Sequence, residues 1–239
     1  IGVEGHIWFG FYLPQMKYLD GKYAKGKIKA FSKQNPEDSE WRMFMEGYLQ
    51  GALVYPEVYT LMRINYTKAL ESKNFVEQVD QRLVEHISLG YLHYGEKLED
   101  HNPDGNPSLF WKMLSEAPVL NKKDRWLKVA RFFWSLTGRV IKEGSDKEET
   151  SEAIKEKIIE FWTWTFNERD FVKKILGDGY HAFLGQMGEL TILLDKIDEE
   201  KEKWLLLSAP HVVLHHNAMS FIEYLTKFQD DESIKRIDK

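Results

Sequence analysis

Apolar residues return every three to four positions along almost the whole of this chain, while strict apolar–polar alternation is scarce. That spacing puts apolar side chains on one helical face and leaves little that reads as a half-buried strand. The expected fold class is therefore all-α, with roughly ten helices joined by connections short enough for helical hairpins. Helical stretches are expected over 5–19, with an interruption at Pro14, then over 22–32, 41–53, 57–71, 75–94, 109–115, 123–141, 151–167, 170–176, 181–195 and 199–207. A last long helix is expected to start near Pro210, and Pro56 suits the first turn of the 57–71 helix. Within 75–94 the inner stripe is Val76, Val79, Leu83, His86, Ile87 and Gly90; within 151–167 it is Ile154, Ile158, Phe161 and Thr165, flanked by Trp162.

The strongest break in the pattern is "EDHNPDGNPS" at 99–108, where two prolines, a glycine and several Asx residues gather, all turn formers. It predicts an N-terminal helical-hairpin part over 1–98, a connecting loop over 99–108 and a C-terminal helical-repeat part over 109–239, with one continuous array as the alternative. Short echoes support a repeat. "GFYL" at 10–13, "GYLQ" at 47–50 and "GYLH" at 90–93 each place a glycine before an aromatic and a leucine, and "FFWSL" at 132–136 returns as "FWTWTF" at 161–166. Glycine inside a helix costs about 1 kcal/mol against alanine, so glycines that recur there mark close helix–helix approach. Spacings of this size fit paired-helix repeats. Irregular hairpins stacked as an α-solenoid of the tetratricopeptide or HEAT kind is the architecture read from them, beside an irregular helical domain.

Composition narrows the function. With 14% aromatic residues the chain can bury a substantial core. Its formal charge of −5, with both signs interspersed, gives no general attraction to phosphate, so nucleic acid is not the default partner. The absence of cysteine removes disulfides, thiolate zinc sites, iron–sulfur clusters and thiol nucleophiles, and it suits a reducing, cytoplasmic compartment. Apolar runs such as "WLLL" at 204–207 are far too short to cross a bilayer, and no secretory signal is seen. The chain starts at Ile1 with residues that are already apolar, and is read as a piece of a longer polypeptide.

Four groups of residues invite a chemical reading. His211 and His215 in "HVVLHH" lie four apart, which puts two imidazoles on one helical face, as a zinc site uses. Zinc takes two further ligands, which His181 or a carboxylate would have to supply through folding, and no Glu sits inside the pair as in HExxH. Histidines packed with bonded ring nitrogens give the same spacing, so the pair is read as structural, with metal binding as the alternative. His216 points away from the apolar stripe and is a candidate contact for a protein partner. Glu85, His86, His93 and Glu96 in "EHISLGYLHYGE" offer carboxylate–imidazole pairs without a nucleophile. "GDGYHAFLG" at 177–185 follows "FVKKIL" and reads as a helix stop and restart rather than a phosphate loop. Trp164 projects beyond the inner stripe of its helix; buried it is core, exposed it is a binding hot spot. No GxSxG, phosphate-binding loop or Rossmann fingerprint occurs. No catalytic and no cofactor-binding residue is assigned. "EGSDKEETSE" reads as a solvated loop.

"RWLKVARFFWSLTGRV" at 125–140, "IKEKIIEFWTWTF" at 154–166 and "ELTILLDKIDEEKEKWLLLSAPHVVLHHNAMSFIEYLTKF" at 189–228 together resemble the C-terminal helical arrays of large bacterial defence proteins built as STAND-type NTPases. "EGYLQGALVYPEVYTLMRINYTKAL" at 46–70 is similar to an earlier repeat of such an array. The resemblance implies an effector and a nucleotide-binding module elsewhere in a parent protein, and a sensor or scaffold role for this segment. No Walker lysine is present, so no NTPase residue carries over. The expected function is a non-catalytic segment binding a protein partner, of phage, of the host or within the parent chain. The alternatives are a metal-binding helical protein or metal-dependent enzyme using His211 and His215, and a homo-oligomerisation module; neither cofactor nor membrane is expected.

Overall fold

A computed structural model describes residues 2–51, 53–72, 75–117, 122–140, 148–193 and 198–212. Every named element is helical, and the chain divides into two compact units, 1–121 and 122–239. Unit 1 holds α1 (Val3–Phe11), α2 (Leu13–Leu19), α3 (Gly21–Phe31), α4 (Ser39–Gly51), α5 (Pro56–Glu71), α6 (Glu77–His93) and α7 (Leu109–Ser115). Unit 2 holds α8 (Asp124–Val140), α9 (Glu148–Asn167), α10 (Arg169–Leu176), α11 (Tyr180–Glu189) and α12 (Glu199–Val212), with 3-10 turns at Gly177–Gly179 and Leu190–Leu193.

Local chemistry sets these boundaries. Pro14 falls in the first turn of α2, so the expected interruption becomes two helices with the break at Tyr12. The Asp20 carboxylate accepts from the Tyr23 amide at 2.9 Å and caps α3. Ser108 caps α7, accepting from the Trp111 amide at 3.2 Å. Gly95, at φ +82°, closes α6, where the amides of Tyr94 and Glu96 both reach the Gly90 carbonyl.

In unit 1 the closest pairing joins α1 to α4, elements far apart in sequence. A methyl group at Gly10 would overlap the Phe44 carbonyl oxygen, and one at Gly47 would overlap the Ile7 carbonyl. Two of the three recurring glycines are thus the two sides of a single backbone-to-backbone contact, and the third, Gly90, lies under the Tyr59 ring. Around that contact Trp41, Phe44, Tyr48, Met62, Tyr66 and Ile87 are completely buried. Phe31 stacks on Phe44 at 4.2 Å, and Tyr91 on Phe110 at 4.4 Å.

In unit 2, α11 packs against both α8 and α12, and α9 against α8 and α10. Trp126, Phe133, Phe161 and Phe183 form its centre; Phe133 meets Phe161 edge-on at 5.3 Å, and Trp126 meets Phe183 edge-on at 5.8 Å. This is the offset geometry aromatic quadrupoles favour.

Two expectations about boundaries change. The helix expected to begin near Pro210 does not: α12 runs through that proline to Val212. Buried Ser208 and Val212 both sit against Gly188 of α11, where a methyl would collide with them, and this packing holds the turn helical despite the lost amide. Residues 99–108 fold back within unit 1, where the Asn102 amide donates to the Asn106 carbonyl at 2.8 Å and His101 bridges to Pro107. The loop expected over 142–150 falls largely outside the described residues, and α9 already starts at Glu148.

Candidate functional site

The carboxylate–imidazole candidates of α6 are not gathered into one site. Glu85 bonds on the surface, accepting from Gln81 and Arg82 at 3.0 and 2.7 Å. His93, seven residues on and so on the same face as His86, is exposed in the last turn of α6, with partial burial lowering its pKa. His86 is buried with its Nδ1 3.1 Å from the Tyr66 hydroxyl, which lies 2.9 Å from the Tyr48 hydroxyl. Burial holds the imidazole neutral, its pKa pulled down to about 3 with a contribution from Arg82, and pushes both phenols above their ordinary range. The order that satisfies all three is Tyr48 donating to Tyr66 and Tyr66 donating to the neutral Nδ1.

Glu96 is the centre of a second buried network. It is fully buried yet paired: the Arg63 guanidinium donates to Oε1, as does the Tyr59 hydroxyl at 3.1 Å. Its Oε2 accepts from Asn102 Nδ2 at 3.1 Å and from the Leu109 amide at 2.7 Å. Arg63 also donates to the Pro107 carbonyl at 2.5 Å. The turn formers at 99–108 therefore wrap over this carboxylate and bring Asn102 and the first amide of α7 onto it. With both oxygens occupied and no exposed edge, Glu96 is a structural anchor and has no lone pair directed at solvent. Burial and the adjoining carboxylate push the Tyr59 phenol well above its ordinary range.

The histidine pair of the C-terminus is described only in part. His211 sits in the last turn of α12 and is partly buried; His215 and His216 lie outside the described residues. Folding does bring His181 of α11 to His211, with ring centroids 4.6 Å apart and planes within 10°. Imidazole lone pairs lie in the ring plane, so two rings stacked face to face do not aim nitrogens at a common point in this arrangement. No group of three metal-ligating side chains occurs among the described residues. Partial burial and the neighbouring His181 lower the His211 pKa. Trp164 is partly buried, stacked over Trp126 at 6.3 Å and met edge-on by Phe171.

An open groove lies in unit 1, between α2 and the start of α5. Pro14, Tyr18, Leu19, Tyr55, Pro56 and Val58 line a groove of about 860 Å³. Lys17 and Glu57 close one edge through a 2.8 Å ion pair, and the Glu57 carboxyl is held below its usual range by Lys17 and, further off, Lys25. α2 explains the exposure: Leu13 and Pro14 are buried and anchor its first turn, whereas Tyr18 and Leu19 in its last turn are 91% and 81% exposed. Leu53, Tyr55, Trp8 and Tyr12 are exposed as well. Tyr18, Leu19 and Tyr55 carry no chemical motif, and periodicity alone makes them look like core.

No family model, no curated protein and no solved structure matches this chain. No described helix is long and apolar enough to cross a membrane.

Proposed function

We propose that this chain is a non-catalytic helical recognition segment, its hairpins stacked in the manner of an α-solenoid, which binds a protein partner at the groove beside α2. The observation that carries this reading is the solvent-facing apolar surface of Tyr18, Leu19, Leu53 and Tyr55, next to a groove deep enough to seat side chains. Each such side chain removed from water on binding contributes about 1.5–3 kcal/mol, set against an association cost of about 4–15 kcal/mol. The polar clusters of unit 1, by contrast, are consumed internally, with Glu96 and His86 bonded to neighbours in the core. The sensor part of a bacterial STAND-type defence protein, acting in the cytoplasm on a phage or host protein, is the role assigned on the resemblance of residues 125–140, 154–166 and 189–228.

The test is affinity capture with the native chain from lysates with and without phage infection, repeated with Leu19→Asp, whose folding is checked by circular dichroism. A partner retained by the native chain and lost by the folded variant is the expected result. A partner retained equally by both would place recognition elsewhere and contradict the reading.

A further inference from the structure

We infer that the partner of the α2 groove is an acidic protein segment carrying bulky apolar anchors; this rests on the docking reading above. The warrant is the charge beside the groove. Lys22, Lys25 and Lys29 recur at helical spacing on the side of α3 away from buried Ala24 and Phe31, Lys33 follows in the turn just past its end, and all four are exposed. None of the four is ion-paired among the described residues. The first 33 residues carry six lysines against two carboxylates, in a chain whose overall balance is −5, so the positive field is local to this end of unit 1.

The helix that carries the row, α3, packs against α2 of the groove wall. Lys25 acts electrostatically on Glu57, a residue of the groove wall, and Lys17 of the same wall is held by that carboxylate. Like charges three and four residues apart repel one another along a helix, and an anionic partner lying across them removes that cost. Apolar wall and basic rim together select a ligand that has both characters: leucine-sized or aromatic side chains for the groove and Asp or Glu for the lysines. A bilayer is a poorer fit because the apolar surface is concave and Glu57 stands on its rim. Nucleic acid is a poorer fit because Leu19 and Leu53 stand among the exposed apolar side chains and the basic face is lysine without arginine, which does not suit base-edge recognition.

A random-peptide display selection against the whole chain tests this, with the strongest peptide then synthesised and titrated. Enriched peptides are expected to combine Asp and Glu with Leu, Phe or Trp. Their affinity should fall about tenfold or more in Lys25→Glu/Lys29→Glu, fall less in Lys25→Gln/Lys29→Gln, and weaken with salt. It should also be lost in Leu19→Asp. Peptides that need Leu19 but are neutral or basic, or that ignore both lysine variants, overturn the acidic partner and leave protein docking standing. Failure to enrich any peptide overturns both, and binding of phosphatidylserine vesicles or of an oligothymidylate through Lys25 and Lys29 would identify what replaces them.

Discussion

Unit 1 shows how buried polar bonds join distant elements, and unit 2 shows how aromatic rings do. Unit 1 ties distant elements with polar bonds: Arg63 and Tyr59 of α5 to Glu96 beyond α6, Trp41 to Asn65 at 3.0 Å, and Lys68 to the carbonyls of Ser32 and Gln34 at 2.5 and 2.6 Å. Unit 2 also buries charged groups, Arg125 and Lys128, and its bonds from Ser208 to the Trp204 carbonyl, Thr165 to the Trp162 carbonyl and Lys128 to Asp124 each lie within a turn of one helix. Its elements meet through rings, Trp162 on Trp204 and Phe133 on Phe161. The contrast separates two kinds of specification. A buried charge network demands particular groups at particular positions, since one missing partner strands the others. An aromatic core demands volume and shape, which more than one sequence can supply.

Deletion should hurt both units and conservative replacement should tell them apart. Glu96→Ala leaves Arg63, Asn102 and the Leu109 amide without their acceptor and is expected to cost about 3–5 kcal/mol in urea unfolding. Trp126→Ala should cost a similar amount, about 3–5 kcal/mol, through the cavity it leaves. The near-isosteric Glu96→Gln should still cost roughly 1–3 kcal/mol because its amide turns a donor toward a donor, whereas Ile158→Leu in unit 2 should cost less than about 1.5 kcal/mol. Equal tolerance of the two swaps would erase the distinction. Gly47→Ala, forced against the Ile7 carbonyl, is expected to lose about 1–3 kcal/mol with a measurable drop in melting temperature.

The buried His86 gives unit 1 a pH dependence of definite sign. In the unfolded chain it takes up a proton near the ordinary histidine value of 6.5, and in the folded chain only near 3. The unfolded state therefore binds more protons between those values, so stability falls on acidification from about pH 6.5 toward 3 and is flat above, with a slope of at most about 1.4 kcal/mol per pH unit. Urea titrations across that range should show this component in the native chain and its absence in His86→Gln. The smallest effect belongs to the exposed pair Arg82–Glu85, where Arg82→Ala should change stability by about 0.5 kcal/mol or less.

What was legible in the sequence follows from range. Periodicity is local, so the helical class, the α7 boundaries and the buried stripe of α6 could be read directly, except that Val76, at the helix N-cap, is exposed; Gly10 and Gly47 marked a close approach without revealing that they face each other. Glu96 looked like one half of a catalytic pair because its partners Arg63 and Tyr59 lie more than 30 positions upstream. The cluster at 99–108 signalled a turn, but nothing local says that a turn will close over a carboxylate. Pro210 signalled a helix start, and packing over Gly188 outweighed it. Tyr18 and Leu19 follow the same apolar pattern as core residues, so nothing local marks them as exposed.

Hydrogen exchange on the whole chain, alone and saturated with its captured partner or its strongest selected peptide, tests the docking site most directly. Slower exchange over residues 14–19 and 55–58, with the Glu96 network unchanged, is the expected pattern. Protection confined to unit 2, with residues 14–19 and 55–58 exchanging as before, would contradict it.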